Sequence, residues 1–254
     1  MEITILGSGT SQGVPVIACD CNVCLSTDQK DKRLRSSIMI TINNLNYVID
    51  AGPDFRQQML TNQVKSLEAV LFTHEHKDHI AGLDDVRAFN YKQQKDFDVY
   101  CSKSVESALK REYHYAFSDD KYPGIPLLNL HLIENKPFQV GSTLNVLPIE
   151  VMHYKMPVFG YRIEDFTYIT DAKTISEEEI EKVKGTKVLI VNALHENEHI
   201  SHFNLNEALA FIDKIKPEKA YLTHISHLFG TTSYINSILP KNVFLAFDGL
   251  KITI

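Results

Sequence analysis

The sequence predicts a mixed α/β fold, and two observations carry that expectation. Apolar runs of strand length alternate with segments of helical period, and many of the strands are apolar on both faces. Such strands need cover on both sides, so their sheets must be buried. The 254 residues are 44% hydrophobic and 23% charged, which suits one large domain spanning 1–254 that buries its core without staples.

Composition narrows the function classes. A net charge of −6 and a pI near 6.0 argue against a protein that holds nucleic acid through a general basic field. No apolar run approaches the roughly 18 residues of a membrane span. Met1-Glu2-Ile3-Thr4-Ile5-Leu6 enters a strand without a charged leader or cleavage site, so a cytoplasmic protein without a membrane partner is expected. Three of the four cysteines lie within six residues, which favours a metal clip in a reducing compartment over a disulfide framework.

Residues 2–6 form a strand running into Gly7-Ser8-Gly9-Thr10-Ser11-Gln12-Gly13. That turn lacks the G-K-[ST] ending of a phosphate-binding loop, and its glycines are read as letting the backbone pass close to metals or substrate. Cys19-Asp20-Cys21-Asn22-Val23-Cys24 offers three thiolates, one short of a tetrahedral Zn²⁺ set. A fourth ligand must come from afar, and Leu222-Thr223-His224-Ile225-Ser226-His227 offers two histidines. Residues 37–41 and 45–50 make a hairpin around Asn43-Asn44, and 54–62 a short helix.

The strand 67–72 enters Thr73-His74-Glu75-His76-Lys77-Asp78-His79. In extended backbone His74 and His76 point the same way, while Asp78 and His79 swing onto the next turn and face a second point. This suits two metal ions side by side, the alternative being a solvated histidine-rich turn. Segments 80–91 and 103–115 read as helices, with the strand 97–101 between them ending at Cys101, a buried small apolar residue. Residues 118–126, with Asp119-Asp120 and two prolines, read as a loop at the substrate mouth. His114 and His131 read as ordinary histidines.

The strand 144–151 leads to Met152-His153, and a hairpin of 159–164 with 166–170 leads to Asp171. An Asp after a strand ordinarily caps the next helix. Ser176-Glu177-Glu178-Glu179 matches a capping box whose charges form a solvated face. The strand 187–191 runs into a loop holding His195, His199 and His202, more than packing requires. Residues 205–215 form an amphipathic helix, 220–223 a strand ending at His224, 232–239 a helix, and 243–247 and 252–254 the last strands.

His74-x-His76-x-Asp78-His79 resembles the signature of the metallo-β-lactamase superfamily of dinuclear metallohydrolases. The resemblance implies a four-layer αββα sandwich with Asp50 orienting the histidine loop from behind. It implies one metal on His74, His76 and His153, a second on Asp78, His79 and His224, and Asp171 shared between them. The cysteine clip, the run 222–227 and Phe247-Asp248-Gly249 are similar to the PhnP-type phosphodiesterases from Gly7 to the C-terminal strands. That likeness implies a structural Zn²⁺ on Cys19, Cys21, Cys24 and His227, and His202 as general acid beside Asp78 among the catalytic residues.

The implied reaction is hydrolysis of a small phosphodiester, a cyclic ribose phosphate or nucleotide. Two divalent ions roughly 3.5–4 Å apart hold a bridging hydroxide that attacks phosphorus, and His202 protonates the departing alkoxide. Nitrogen and oxygen donors admit Mn²⁺, Fe²⁺ or Zn²⁺ there, whereas thiolates select Zn²⁺. Family likeness also suggests a homodimer.

Three other readings are weighed. Ser201-His202-Phe203-Asn204 departs from the Gly-His-x-Thr pattern of transfer-RNA 3′-processing nucleases, and His195-Glu196-Asn197 keeps half of their His-Glu-Ala-Thr motif. A cofactor-biosynthesis protein of the pyrroloquinoline-quinone B type would also carry a cysteine clip. A non-catalytic metal-binding scaffold would have lost ligands, and the full apparent set counts against it. His195 and His199 receive no role.

Overall fold

The structure is a computed structural model that describes residues 1–119 and 122–254. Strands follow one another as β1 (Glu2–Gly7), β2 (Ser37–Ile42), β3 (Leu45–Ile49), β4 (Ala69–Leu71), β5 (Phe97–Cys101), β6 (Leu128–Leu132), β7 (Phe138–Val140) and β8 (Leu144–His153). They continue as β9 (Met156–Ile163), β10 (Phe166–Ile169), β11 (Thr174–Ile175), β12 (Val188–Asn192), β13 (Lys219–Thr223), β14 (Val243–Leu245) and β15 (Lys251–Thr253). The helices are α1 (Phe55–Thr61), α2 (Lys77–Ile80), α3 (Arg87–Gln93), α4 (Lys103–Glu112), α5 (His114–Phe117), α6 (Glu177–Val183), α7 (Leu205–Ile215) and α8 (Thr232–Ile238).

One sheet has the order β15-β1-β2-β3-β4-β5-β6, and the other β11-β8-β9-β10-β12-β13-β14 with β7 on β8. Both follow one plan. Across the first, β15 to β3 pair antiparallel and β3 to β6 parallel. Across the second, β11 to β10 pair antiparallel and β10 to β14 parallel. Parallel neighbours require crossovers, and these supply the helices.

Period-two alternation divides the apolar side chains among three interfaces. Ile3, Ile5, Ile40, Tyr47 and Ile49 meet Tyr161, Phe166, Tyr168 and Ile190 between the sheets. Leu6, Val48 and Val70 point the other way, onto Phe55, Phe89, Val105 and Leu109 of α1, α3 and α4. Leu189, Val191 and Leu222 pack on Ile180, Phe211 and Ile235 of α6, α7 and α8. The result is the helix–sheet–sheet–helix sandwich.

Several expectations change in detail. The helix expected over 80–91 starts earlier, at Lys77, and is interrupted: α2 stops at Ile80, a 3₁₀ turn covers Leu83–Val86, and α3 follows. At the break Gly82 leaves helical geometry, with φ −100° and ψ 5°, and packs so close to the turn after β3 that a Cβ there would lie 2.0 Å from Gly52 O. β6 and β7 were not expected; they are short, at a sheet edge, and half exposed. Asn43 and Asn44 both take positive φ, 52° and 63°, as a tight hairpin requires.

Ser176 caps α6 by accepting from Glu179 N, but Glu179 does not return the bond. Its buried carboxylate instead accepts from Glu150 N at 2.8 Å and from Asn135 Nδ2 at 2.8 Å, so this charge is not on a solvated face. The full capping box is at α7, between Asn204 and Glu207. In the loop 118–126, Asp120 lies outside the described residues. Among those described, no helix is long and apolar enough to cross a membrane.

Candidate metal centre

The C-terminal ends of β3, β4, β8, β10 and β13 deliver Asp50, His74, His153, Asp171 and His224 to one edge of the sandwich. Asp50, Asp171 and His224 all have positive φ, 66°, 57° and 58°. Left-handed backbone at a non-glycine residue is costly and concentrates where a side chain must be aimed. His76 caps α2, which places Asp78 and His79 in its first turn. A Cβ on Gly52 would fall 2.0 Å from Asp78 O, so the turn after β3 supports this helix by a contact that admits only glycine.

The imidazoles turn their free nitrogens inward. His79 Nδ1 donates to Asp50 Oδ2 at 2.6 Å, and Asp50 also accepts from Thr73 N at 2.9 Å and Thr73 Oγ1 at 2.8 Å. His79 Nε2 is buried without a hydrogen-bond partner, although Asp78 Oδ2 is 3.1 Å and Asp171 Oδ2 3.3 Å away. Close approach without bonding directionality is what ligands aimed at a common ion produce. His153 Nδ1 donates to Ser201 O at 2.8 Å, which leaves its Nε2 for the centre. His74 Nε2 lies 3.0 Å from His76 Nδ1.

All seven expected ligands converge. Asp78, His79 and His224 form one set whose donor atoms lie within 4.8 Å of one another, as do His74, His79 and Asp171. Asp171 also groups with His153 and His202, so it lies between the two halves as a shared carboxylate would. His76 reaches the cluster through His74, and its ring is 5.1 Å from that of His153. His74, His79 and His224 are buried, whereas His76 is exposed and marks the open side.

Electrostatics follows from the burial. Desolvation, together with the neighbouring His79, holds His74 well below the ordinary imidazole range, and desolvation lowers His224 to about 4. His79 goes the other way, because Asp50, Asp78 and Asp171 outweigh its desolvation. His74 and His224, held neutral beside carboxylates, suit a divalent cation.

The structure also brings Cys19, Cys21, Cys24 and His227 together. His227 Nδ1 lies 3.2, 3.4 and 3.5 Å from Cys19, Cys21 and Cys24 Sγ. A tetrahedral Zn²⁺ with ordinary bond lengths has nitrogen–sulfur edges of about 3.6 Å, so the donor set fits. The Cys24 N–H lowers Cys21 to about 6, and burial raises Cys24 to about 11. Cys101 is buried and apart.

The glycine-rich turn plays a different part from the one expected. A Cβ at Gly7 would lie 2.0 Å from Arg35 O, and one at Gly9 2.9 Å from Arg33 Cβ, so these glycines serve close backbone packing. The link to the site is Thr10 Oγ1, 3.1 Å from His224 Nε2. Sequence reading also passed over Thr73, Ser36 and Asn192. Ser36 Oγ is 3.2 Å from His224 Nδ1, and Asn192 makes both backbone bonds to Ala172, fixing the turn that carries Asp171. A hydroxyl or amide at a strand end has no pattern that distinguishes it in sequence.

His202 Nε2 lies 3.0 Å from Asp171 Oδ1, and its ring stacks on His224 at 4.9 Å. His114 is exposed, and His131 pairs with Asp98 at 2.7 Å, away from the centre. The groove of about 260 Å³ beside Phe55, Met59 and Phe89 is lined by none of the clustered histidines.

A sheet-on-sheet sandwich with histidines and aspartates gathered at its strand ends defines the metallo-β-lactamase class. A family model described as a beta-lactamase superfamily domain matches residues 45–225, and the chain belongs to that superfamily. Within it the chain belongs to the PhnP family: a solved diphosphatase of that family superposes with a TM-score of 0.93 at 34% identity, covering 100% of this chain and 97% of that one. Zn²⁺-bound PqqB from Methylobacterium extorquens shares the fold, with a TM-score of 0.83 and 20% identity over 100% of both chains. An octanoyltransferase of Porphyromonas gingivalis (strain ATCC BAA-308 / W83) is 41% identical over 254 residues, 99% of this chain and 51% of its own length. The chain spans about half the length of the curated relatives it matches.

Proposed function

We propose that the protein is a dinuclear metal-dependent phosphodiesterase acting on a small diester. The carrying observation is the convergence of seven side chains from four strand ends, in a chain 34% identical to a PhnP-family diphosphatase. His74, His76 and His153 would hold one divalent ion and Asp78, His79 and His224 the other, with Asp171 between them. Cys19, Cys21, Cys24 and His227 would hold a structural Zn²⁺. Bound at the centre, the ions would supply a nucleophile at neutral pH and positive charge for the phosphoryl oxygens.

The chain's own residues do the rest. Asp50 and Thr73 fix the His79 tautomer, and the bond from His153 to Ser201 fixes its ring. Asp171 holds His202 by its Nε2, beside the centre, where its proton can pass to a departing alkoxide. General-acid assistance of this kind is worth about 10²–10⁴ in rate. Burial of His74, His79 and His224 keeps water from competing on that side.

The diphosphatase among the neighbours favours a second reading, a diphosphate substrate. Its leaving group is a phosphate, a weak base with a second pKa of roughly 6, which needs little protonation. Protein loaded with Mn²⁺ should cleave bis(p-nitrophenyl) phosphate and 2′,3′-cyclic nucleotides, and His76→Ala should abolish both activities. Cleavage of a diphosphate alone would support the second reading. Turnover of none of these, with metals bound in full, would sink both and favour the cofactor-biosynthesis or scaffold alternatives. No acyl transfer is assigned, because half of the octanoyltransferase lies outside the match.

A further inference from the structure

His202 is bracketed at both ring nitrogens. Its Nε2 faces Asp171 Oδ1 at 3.0 Å, and its Nδ1 faces His199 Nδ1 at 3.1 Å and Ser201 Oγ at 3.0 Å. A nitrogen-to-nitrogen contact at this distance needs one donor and one acceptor. The Ser201 N–H, 3.3 Å from His199 Nδ1, points its hydrogen at that atom, which must therefore be the acceptor. His199 then carries its own proton on Nε2, and the shared proton belongs to His202 Nδ1. Burial and the charge of His202 hold His199 below the ordinary imidazole range, in keeping with a neutral acceptor.

We propose that His199 is a positioning residue for His202, accepting the His202 Nδ1–H and so fixing the ring with Nε2 turned toward Asp171 and the reaction site. The proposal rests on the reading of His202 as general acid. The loop carrying both residues is pinned to the Asp171 turn by Phe203 N to Ala172 O at 2.6 Å and Leu194 N to Phe203 O at 2.9 Å. Asp171, His202 and His199 thus form one chain of contacts from the buried centre to the half-exposed loop. Asp171 aims one end of the His202 ring, and His199 the other.

Four variants test this: His199→Ala, His199→Asn, His199→Gln and Ser201→Ala. An asparagine Oδ1 can occupy the place of His199 Nδ1, whereas a glutamine reaches the place of Nε2. On 2′,3′-cyclic nucleotides, which leave an alkoxide, His199→Ala should lower kcat about 10–100-fold with KM unchanged, the range typical of groups that orient a functional histidine. On bis(p-nitrophenyl) phosphate the loss should stay within about threefold, since that leaving group needs little protonation. His199→Asn should restore the alkoxide reaction, and His199→Gln should not.

Equal losses on both substrates, equal rescue by Gln, or a loss confined to Ser201→Ala would overturn the proposal. A second readout does not depend on turnover. In Zn²⁺-loaded protein, ¹⁵N spectra should show His202 protonated at Nδ1, and His199→Ala should shift that ring nitrogen. An unchanged His202 signal refutes the contact. Inactive wild-type protein with the expected shift would instead refute the phosphodiesterase reading and leave the contact standing.

Discussion

Asp50 and Asp171 hold the two sides of one imidazole. Asp50 Oδ2 is 2.6 Å from His79 Nδ1, and Asp171 Oδ2 is 3.3 Å from His79 Nε2. The two aspartates occupy matching places: each follows the strand at which its sheet changes from antiparallel to parallel pairing, β3 and β10, and each has positive φ. They differ in what they meet. Asp50 is fully buried and bonded to protein, whereas Asp171 faces the converging ligands.

Asp50→Asn should therefore cost metal rather than fold. The amide keeps the shape of the carboxylate but not its charge, so the His79 tautomer is no longer fixed by an anion. A change of this kind typically weakens metal affinity about 10–100-fold. Metal analysis under limiting Mn²⁺ should show the centre depleted while the clip keeps its zinc. Full occupancy of the centre at the wild-type concentration of Mn²⁺ would contradict the assignment of Asp50.

Removal of the clip metal should loosen the segment around residues 14–28. Val14, Val23 and Cys24 form a small apolar cluster there, apart from the main cores. A ligand present at a thousandfold its Kd stabilises the bound state by about 4 kcal/mol, so Cys21→Ser should lower the unfolding temperature measurably. Limited proteolysis should then cut within this segment first. Unchanged stability with three cysteines freely titratable in the wild type would mean that no ion is held.

With the metals chelated, the thiols should separate by pH. The backbone N–H of Cys24 lowers Cys21 to about 6, so Cys21 is mostly thiolate at pH 7. Burial raises Cys24 to about 11 and Cys101 to about 12, which leaves both as thiols there. Iodoacetamide labelling followed by mass spectrometry should modify Cys21 with a midpoint near pH 6, before Cys24 or Cys101. Early labelling of Cys24 would reverse the assignment.

Legibility varied with the physics behind each signal. The histidine loop and the ends of β8, β10 and β13 were readable because a polar ligand after an apolar run breaks a strong pattern, and family likeness assigned their roles. Helix α7 was readable by its apolar stripe. The ring of hydroxyls around the centre, Thr10, Ser36 and Thr73, was not, because these residues are equally at home in any turn. Glu179 misled for a similar reason: a glutamate three residues after a serine matches a capping box, yet the packing of α6 on β8 gives its carboxylate better partners in Glu150 N and Asn135. His199 became interpretable only when the loop folded back and placed its Nδ1 beside that of His202.

The contact of Gly52 with α2 gives the sharpest structural test. A methyl group at this position would meet Asp78 O at 2.0 Å, and the wall it meets is backbone, which cannot rotate aside. Just past α2, Gly82 is tied to the same turn, its N–H bonded to Ala51 O at 2.8 Å, so the contact cannot be relieved by sliding the whole segment away. Gly52→Ala must push the first turn of α2 outward, and with it Asp78 and His79. Overpacking of this kind costs about 1–3 kcal/mol, small beside the large cores of the two sheets. The expected result is a folded protein with a modest loss of stability and a large loss of metal from the centre, the clip zinc being retained. Unfolding curves and metal analysis on the same sample would separate the two effects. A variant that loses stability but binds its full complement of metal would show that α2 is not held in place by this contact.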